Sequence, residues 1–235
     1  MSLKDKIETK TWDSVRKTIN KFRENPYYFF TENDIQAYFY YCLYRSDFEV
    51  TRNNKRIYLV HKEYPTNFRY KKDELGCITT STTYNLDDKE GRRGNYDFGI
   101  IDPDYANNAK NVEHIINKNI SNLEERYSND QNDNELLFTL EFKYITSNNK
   151  SWIDSIFKDN EKLRYSIQHG SKEAINLVFC NKKYSKYKNL LLEEVIKIPS
   201  DVNIIFVQSY YEDNKKITPK PITNNRDKLE EYGVI

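Results

Sequence analysis

From Glu135 to Thr146 the chain reads ELLFTLEFKYIT. Leu136, Phe138, Leu140, Phe142 and Tyr144 alternate with Leu137, Thr139, Glu141, Lys143 and Ile145. That period of two predicts a β-strand. One face is apolar or aromatic throughout and must look into a core. The other carries Thr139, Glu141 and Lys143 in a row, successive backbones roughly 6–7 Å apart. Burying a carboxylate and an ammonium costs several kcal/mol unless they are paired or bind something. Acid-x-Lys spacing recurs at Glu8–Lys10, Asp87–Lys89 and Asp213–Lys215, but in polar contexts. Only Glu141–Lys143 sits inside a long apolar alternation. An ion pair on a half-exposed sheet face is the plain alternative reading.

The same patterning predicts the other elements. Residues 3–24 read as a polar helix with a narrow stripe of Ile7, Val15, Ile19 and Phe22, stopped by Asn25–Pro26. Thr31 with Asp34 three residues on forms a capping-box pattern for a helix to about Tyr44. Glu32 falls in its first turn, where a helix-dipole partner is the simple reading. Residues 47–51 and 56–62 predict two strands about the turn Arg52–Lys55. The stretch HKEYPTNFRYKKDELG reads as a loop, 77–84 as a strand and Asn85 to Asn95 as a polar loop. Tyr96 to Ile101 reads as a strand with Asp97 and Gly99 on one face, closed by Asp102–Pro103–Asp104. A polar helix is expected over 109–128 and a loop over 128–134. Ser151 would cap a helix from about 152 to 168. Buried strands follow at Ala174–Cys180 and Val202–Gln208, with a short helix at 189–197 between them. The stretch from Tyr210 reads as a polar, loosely packed tail.

Length and composition set limits. A chain of 235 residues allows one large domain or two small ones, and no linker divides this one. The expectation is a single domain over 1–235, with a core of about 30–208, a helical extension over 1–25 and a tail over 209–235. Net charge is +1, so no global basic field attracts nucleic acid, and any such binding must use local patches. Cys42, Cys77 and Cys180 show neither metal-ligand spacing nor a disulfide framework. His61, His114 and His169 are scattered. No stretch reads as a signal peptide or membrane span, so a cytoplasmic location is expected.

The order of elements, with TENDIQAYFYYCL around Glu32, GRRGNYDFGI around Asp97 and LLFTLEFKYI around Glu141 and Lys143, resembles the PD-(D/E)xK nuclease superfamily. The segment DNEKL (159–163) is similar to the helix that follows the catalytic strand in that group. The resemblance spans roughly 30–208. It implies an α/β fold of the restriction-endonuclease-like kind, a central mixed β-sheet flanked by helices, here with an extra N-terminal helix. One departure stands out: no Pro precedes Asp97, and the only Pro-Asp pair is Pro103–Asp104, which leaves the metal-binding Asp open. Asp97 is preferred because Gly99 on its face leaves room for an ion or a phosphate.

The activity so implied is metal-dependent hydrolysis of phosphodiester bonds, in DNA ahead of RNA, with Mg²⁺ or Mn²⁺. Asp97 and Glu141 would supply carboxylates and Phe142 a carbonyl, the oxygen donors that hard cations take. Glu32 would add a ligand. Lys143 would orient water or stabilise the phosphorane charge. Lys162 and Gln168 are accessory candidates against a solvated helix face, and Glu63 is a weaker one. Arg52, Lys55 and Arg56, the pair Arg92–Arg93, and Lys182, Lys183, Lys186 and Lys188 form local basic clusters. The last is interleaved with Tyr184 and Tyr187, which suits phosphate contact with stacking; plain solvated loops are the alternative. No membrane partner is expected, and the oligomeric state is left open, a dimer among the options. The competing function is a non-catalytic nucleic-acid-binding or scaffold protein on the same fold.

Overall fold

In the computed structural model the described residues are 1–72, 78–81, 92–108, 135–147, 151–183 and 201–234. The alternating strand is β6 (Leu136–Ile145), preceded by α1 (Leu3–Glu24), α2 (Glu32–Leu43), β1 (Glu49–Arg52), β2 (Lys55–Tyr58), β3 (Val60–Lys72), β4 (Ile78–Ser81), β5 (Arg92–Ile101) and α3 (Pro103–Asn108). After it come α4 (Ser151–Gln168), β7 (Ser171–Cys180), β8 (Val202–Gln208), β9 (Tyr210–Glu212), β10 (Lys215–Ile217), β11 (Ile222–Thr223) and α5 (Arg226–Glu231).

The class is α/β, a mixed central sheet flanked by helices, with strand order β11-β8-β7-β6-β5-β3-β4. Leu136 N–H donates to the Gly170 carbonyl at 3.1 Å, and Asn181 N–H to the Ile145 carbonyl at 3.3 Å. β6 and β7 therefore start and end together and run parallel, with α4 as the crossover that parallel strands need. Ser209 N–H donates to the Cys180 carbonyl, so β8 continues the parallel set. β11 lies antiparallel on β8, and β3 lies antiparallel to both β4 and β5. Strands buried on both faces read as continuous apolar runs, as β7 and β8 do.

The chain divides into two compact units: Met1–Arg45, Leu140–Leu163 and Ile175–Ile235 in the first, Ser46–Thr139 and Arg164–Ala174 in the second. β6 and β7 contribute to both.

In the first unit, capping boxes open both N-terminal helices, Ser2 with Asp5 on α1 and the expected Thr31 with Asp34 on α2. The buried face of α1 is wider than its apolar stripe, taking in Thr11, Ser14 and Thr18. Each of these hydroxyls donates to the carbonyl four residues back, at 2.7–2.8 Å, which satisfies it without water. Phe22 is fully buried; its ring centroid is 5.1 Å from that of Phe179 and 6.1 Å from that of Tyr144. The helical segment over residues 1–25 thus packs into the core of the first unit.

The segment from Tyr210 is not a loose tail. β9 and β10 pair as a hairpin, β11 joins the sheet, and Leu229 and Val234 are buried. Tyr232 stacks on Trp12, centroids 5.0 Å apart. The local sequence is polar, but a few well-placed apolar side chains suffice when a preformed surface receives them.

In the second unit, β1 and β2 form a hairpin whose turn is Asn53–Asn54, at φ 49° and 60°. Two successive residues at positive φ match the twist of a two-residue hairpin, and Asn tolerates that region. The stretch expected as a loop from His61 is instead the long strand β3. Pro65 and the charges of this stretch argued for a loop; the strand accommodates them with Glu63 at φ 54° and a register irregularity between Pro65 and Arg69. β5 starts at Arg92, four residues before its expected start at Tyr96, because Arg92 and Arg93 pair with Tyr70 and Arg69 of β3. β7 likewise begins at Ser171. The short helix α3 follows Asp102, whose Oδ1 accepts from Asp104 N–H at 2.8 Å. The readings at 109–128, 128–134 and 189–197, and most of the 85–95 loop, fall outside the described residues.

Candidate functional site

The polar face of β6 meets α4. In the first unit, Lys162 Nζ of α4 lies 2.5 Å from Glu141 Oε1, and Lys143 Nζ lies 3.3 Å from Asp159 Oδ2. Lys162 Nζ is also 3.9 Å from Asp159 Oδ1. In the second unit, the same face of β6 brings Thr139 Oγ1 2.8 Å from Ser166 Oγ. The spacing has a simple origin. Strand positions 139, 141 and 143 recur every two residues on one face, and helix positions 166, 162 and 159 recur every three or four.

Glu32 completes the cluster from α2. Phe39 of α2 packs on Phe142 of β6, centroids 5.1 Å apart. Glu32, two turns earlier on the same helix face, reaches the end of β6. Its Oε2 accepts from Tyr144 N–H at 3.0 Å and lies 3.7 Å from Lys143 Nζ. It is more than the helix-dipole partner that its first-turn position suggested.

Three carboxylates (Glu32, Glu141, Asp159) and two ammoniums (Lys143, Lys162) thus share one place, leaving one negative charge in excess. The Glu141 side chain is 4% exposed, those of Asp159, Lys162 and Lys143 15–21%, and that of Glu32 34%. The cluster therefore grades from a buried floor at Glu141 to a rim at Glu32. Behind it, Asn176 of β7 donates to Asn160 of α4, and both are buried.

Tyr144 pins this end of β6. Its hydroxyl donates to the Phe29 carbonyl at 3.0 Å and accepts from Asn181 Nδ2 at 2.7 Å. Burial pushes its phenol up to about 12 despite the Asn181 bond, so it stays neutral and does no acid–base work near neutral pH. Burial likewise holds the Cys180 thiol up at about 12 and raises Cys42. Both are free and buried, the reverse of an activated nucleophile.

Asp97 stands half-buried on β5 in the second unit, on the strand face opposite the buried rings of Tyr96 and Phe98. Asp104 is exposed in α3. The reason given for Gly99 is corrected: a Cβ there would come within 2.5 Å of Tyr64 Cγ and 2.6 Å of Tyr64 Cβ. Tyr64 fills that space, held by a 2.9 Å hydrogen bond from its hydroxyl to Glu135, and neither an ion nor a phosphate is needed to explain the glycine. Glu63 and Gln168 are exposed. Arg92 and Arg93 are strand residues. Lys182 is exposed, and Lys183 pairs with Glu212 at 2.5 Å. Lys186 and Lys188 fall outside the described residues.

Asp159 was missed by the sequence reading, and Lys162 was only an accessory candidate. The signal was present: polar residues at 159, 162 and 166 interrupt the apolar face of α4 at helical spacing, directly after a strand with polar residues at 139, 141 and 143.

The donors available to a cation are carboxylate oxygens, hard ligands of the kind Mg²⁺ takes, and in that respect the residues fit the ion. As placed, Glu141 and Asp159 are turned to lysine ammoniums. Among the described residues no group of three His, Cys, Asp or Glu side chains stands ready to hold a metal. No helix among them is long and apolar enough to cross a membrane. In comparisons with family models, curated proteins and solved structures, the chain matches none.

Proposed function

We propose that this protein is a metal-dependent nuclease that hydrolyses phosphodiester bonds, in DNA ahead of RNA, on a restriction-endonuclease-like fold. One observation carries the reading: Glu141 and Lys143 share the polar face of a core strand, in a cluster that Glu32 enters from another helix. Stability alone is a weak reason for such a cluster, since well-packed apolar residues often do as well as buried ion pairs.

Glu141, Glu32 and the Phe142 carbonyl would hold the ion; Asp97, on β5, is the further carboxylate that the resemblance calls for. Bound there, Mg²⁺ supplies an activated water and screens the phosphate charge. The other roles belong to the chain. Lys143, at the partly open side of the cluster, donates to the oxygen on which charge develops at phosphorus. Asp159 and Glu32 hold its ammonium in place from either side. Glu32 also anchors the backbone at Tyr144, which fixes the strand next to Lys143. Lys162 neutralises Glu141 at the buried floor.

A second reading, a non-catalytic nucleic-acid-binding or scaffold protein, is favoured by the pairing of Glu141 with Lys162: as it stands the network is closed by its own lysines. Incubation with plasmid, single-stranded DNA and RNA, each with Mg²⁺, Mn²⁺ or EDTA, separates the two. Cleavage that needs the ion and disappears in Glu141→Gln and Asp97→Asn supports the nuclease. No cleavage of any substrate with either ion leaves the binding protein.

A further inference from the structure

A groove of about 640 Å³ runs along the outer side of α1 and α2, lined by Lys10 and Lys17 on one side and by Tyr38, Tyr40, Tyr41 and Tyr44 on the other. Tyr41 is 78% exposed and Tyr44 54%. The rings meet in two pairs: Tyr38 lies 6.4 Å from Tyr41, and Tyr40 lies 6.0 Å from Tyr44, centroid to centroid. Tyr28 joins the first pair, 6.1 Å from Tyr38, with Lys21 Nζ 4.3 Å over its ring. Surface rings scattered singly are ordinary, but several lining one groove mark a binding surface.

The charge beside the rings selects the partner. Lys10, Arg16 and Lys17 all approach the single carboxylate of Asp13, at 3.8, 2.6 and 2.8 Å. Of the three, Lys10 and Lys17 line the groove, and against Asp13 they leave one positive charge in excess there. Burial raises the Asp13 carboxyl, but hydrogen bonds from Lys17 and Arg16 outweigh it and hold the group below its ordinary value, so Asp13 stays ionised. Protein–protein interface cores are depleted in Lys. Open tyrosine faces flanked by ammoniums suit a polyanion that carries flat bases.

We propose that this groove binds single-stranded nucleic acid, with bases stacked on Tyr41 and Tyr44 and phosphates held by Lys10 and Lys17. Duplex is excluded from the rings because its base faces are already stacked. The groove is built from α1 and α2 alone, so binding there is independent of cleavage at the β6 cluster.

The test uses the full chain in EDTA at low salt, so that cleavage plays no part, and reads fluorescence anisotropy of a labelled oligo-dT of about 16 residues. Removing each ring, in Tyr41→Ala and Tyr44→Ala, is expected to weaken binding about tenfold. Tyr41→Phe should retain it. Lys10→Gln with Lys17→Gln should reduce the slope of log affinity against log salt by about 0.7 for each phosphate no longer held. A duplex of equal length should not respond to the ring variants. Both tyrosines are more than half exposed, so the variants should fold, and circular dichroism melts check that they do. The inference is overturned if the parent does not bind the oligonucleotide, or if folded ring variants bind it as tightly as the parent. It is overturned equally if sedimentation shows the parent self-associating through this face and the ring variants lose that association alone.

Discussion

Lys162 on α4 places its ammonium 2.5 Å from Oε1 of Glu141 on β6. The two ends of this pair are unequal. The Glu141 side chain is 4% exposed and that of Lys162 20%, and Lys162 has a second carboxylate in Asp159 at 3.9 Å. Removing the lysine leaves a buried carboxylate short of its nearest cation; removing the glutamate leaves an ammonium with another anion and some water. Lys162→Met is therefore expected to cost about 3 kcal/mol, Glu141→Gln less, and the double variant less than Lys162→Met alone. Denaturant midpoints measure all three. Equal losses for the two single variants would show that the pair does not hold the buried charge.

Gly99 offers a second check, in the other unit. An added Cβ meets both Cγ and Cβ of Tyr64, at 2.5 and 2.6 Å, and Tyr64 is buried and tied to Glu135. Gly99→Ala should then destabilise by about 1–3 kcal/mol, as overpacking does. Because the clash includes Tyr64 Cβ, Tyr64→Ala should not rescue it. A stable Gly99→Ala protein would return the glycine to a binding role.

These two sites show what the sequence made legible. The alternation over Leu136–Ile145 named the central strand within a residue at each end, because a period of two inside an apolar frame is a pattern that a helix or a loop does not produce. The Thr31–Asp34 capping box is local chemistry, and it formed as read. Glu141 with Lys143 was visible for the same local reason. Their partners were not, since Asp159 and Glu32 arrive from separate helices and only packing joins them. Pro65 and the surrounding charges made β3 look like a loop, because local propensity cannot register a partner strand that tolerates a bulge. The C-terminal segment misled in the same way: Leu229, Tyr232 and Val234 are too few to form a pattern, yet each finds a surface.

His169 gives a pH dependence with a definite sign. Burial lowers its pKa, so the folded protein keeps the imidazole neutral while the unfolded chain protonates it near pH 6.5. Its contribution to stability is complete above that value and is lost as pH falls from about 6.5 through the lower folded value. Denaturation midpoints across pH 7 to 5 should fall more steeply for the parent than for His169→Gln. Parallel curves would remove His169 from the pH response.

Lys143 is where the functional reading is most exposed to test. Its side chain is 21% exposed and sits 3.3 Å from Asp159 and 3.7 Å from Glu32. Neither partner depends on it alone: Asp159 keeps Lys162, and Glu32 keeps the Tyr144 N–H and stands at the rim. Lys143→Ala should therefore fold, with a stability loss of about 1 kcal/mol, near the upper end for partly exposed pairs. If Lys143 stabilises charge at phosphorus, the same substitution should slow cleavage by about 10²–10³. Binding of Mn²⁺, followed by electron paramagnetic resonance, should remain, because the ammonium is not a ligand. Lys143→Arg should recover part of the rate, since it restores the charge but not the point geometry of the ammonium. Cleavage at the parental rate in a folded Lys143→Ala protein would reduce Lys143 to a structural partner of Asp159. A variant that fails to fold would instead place it in the stability of the β6–α4 contact.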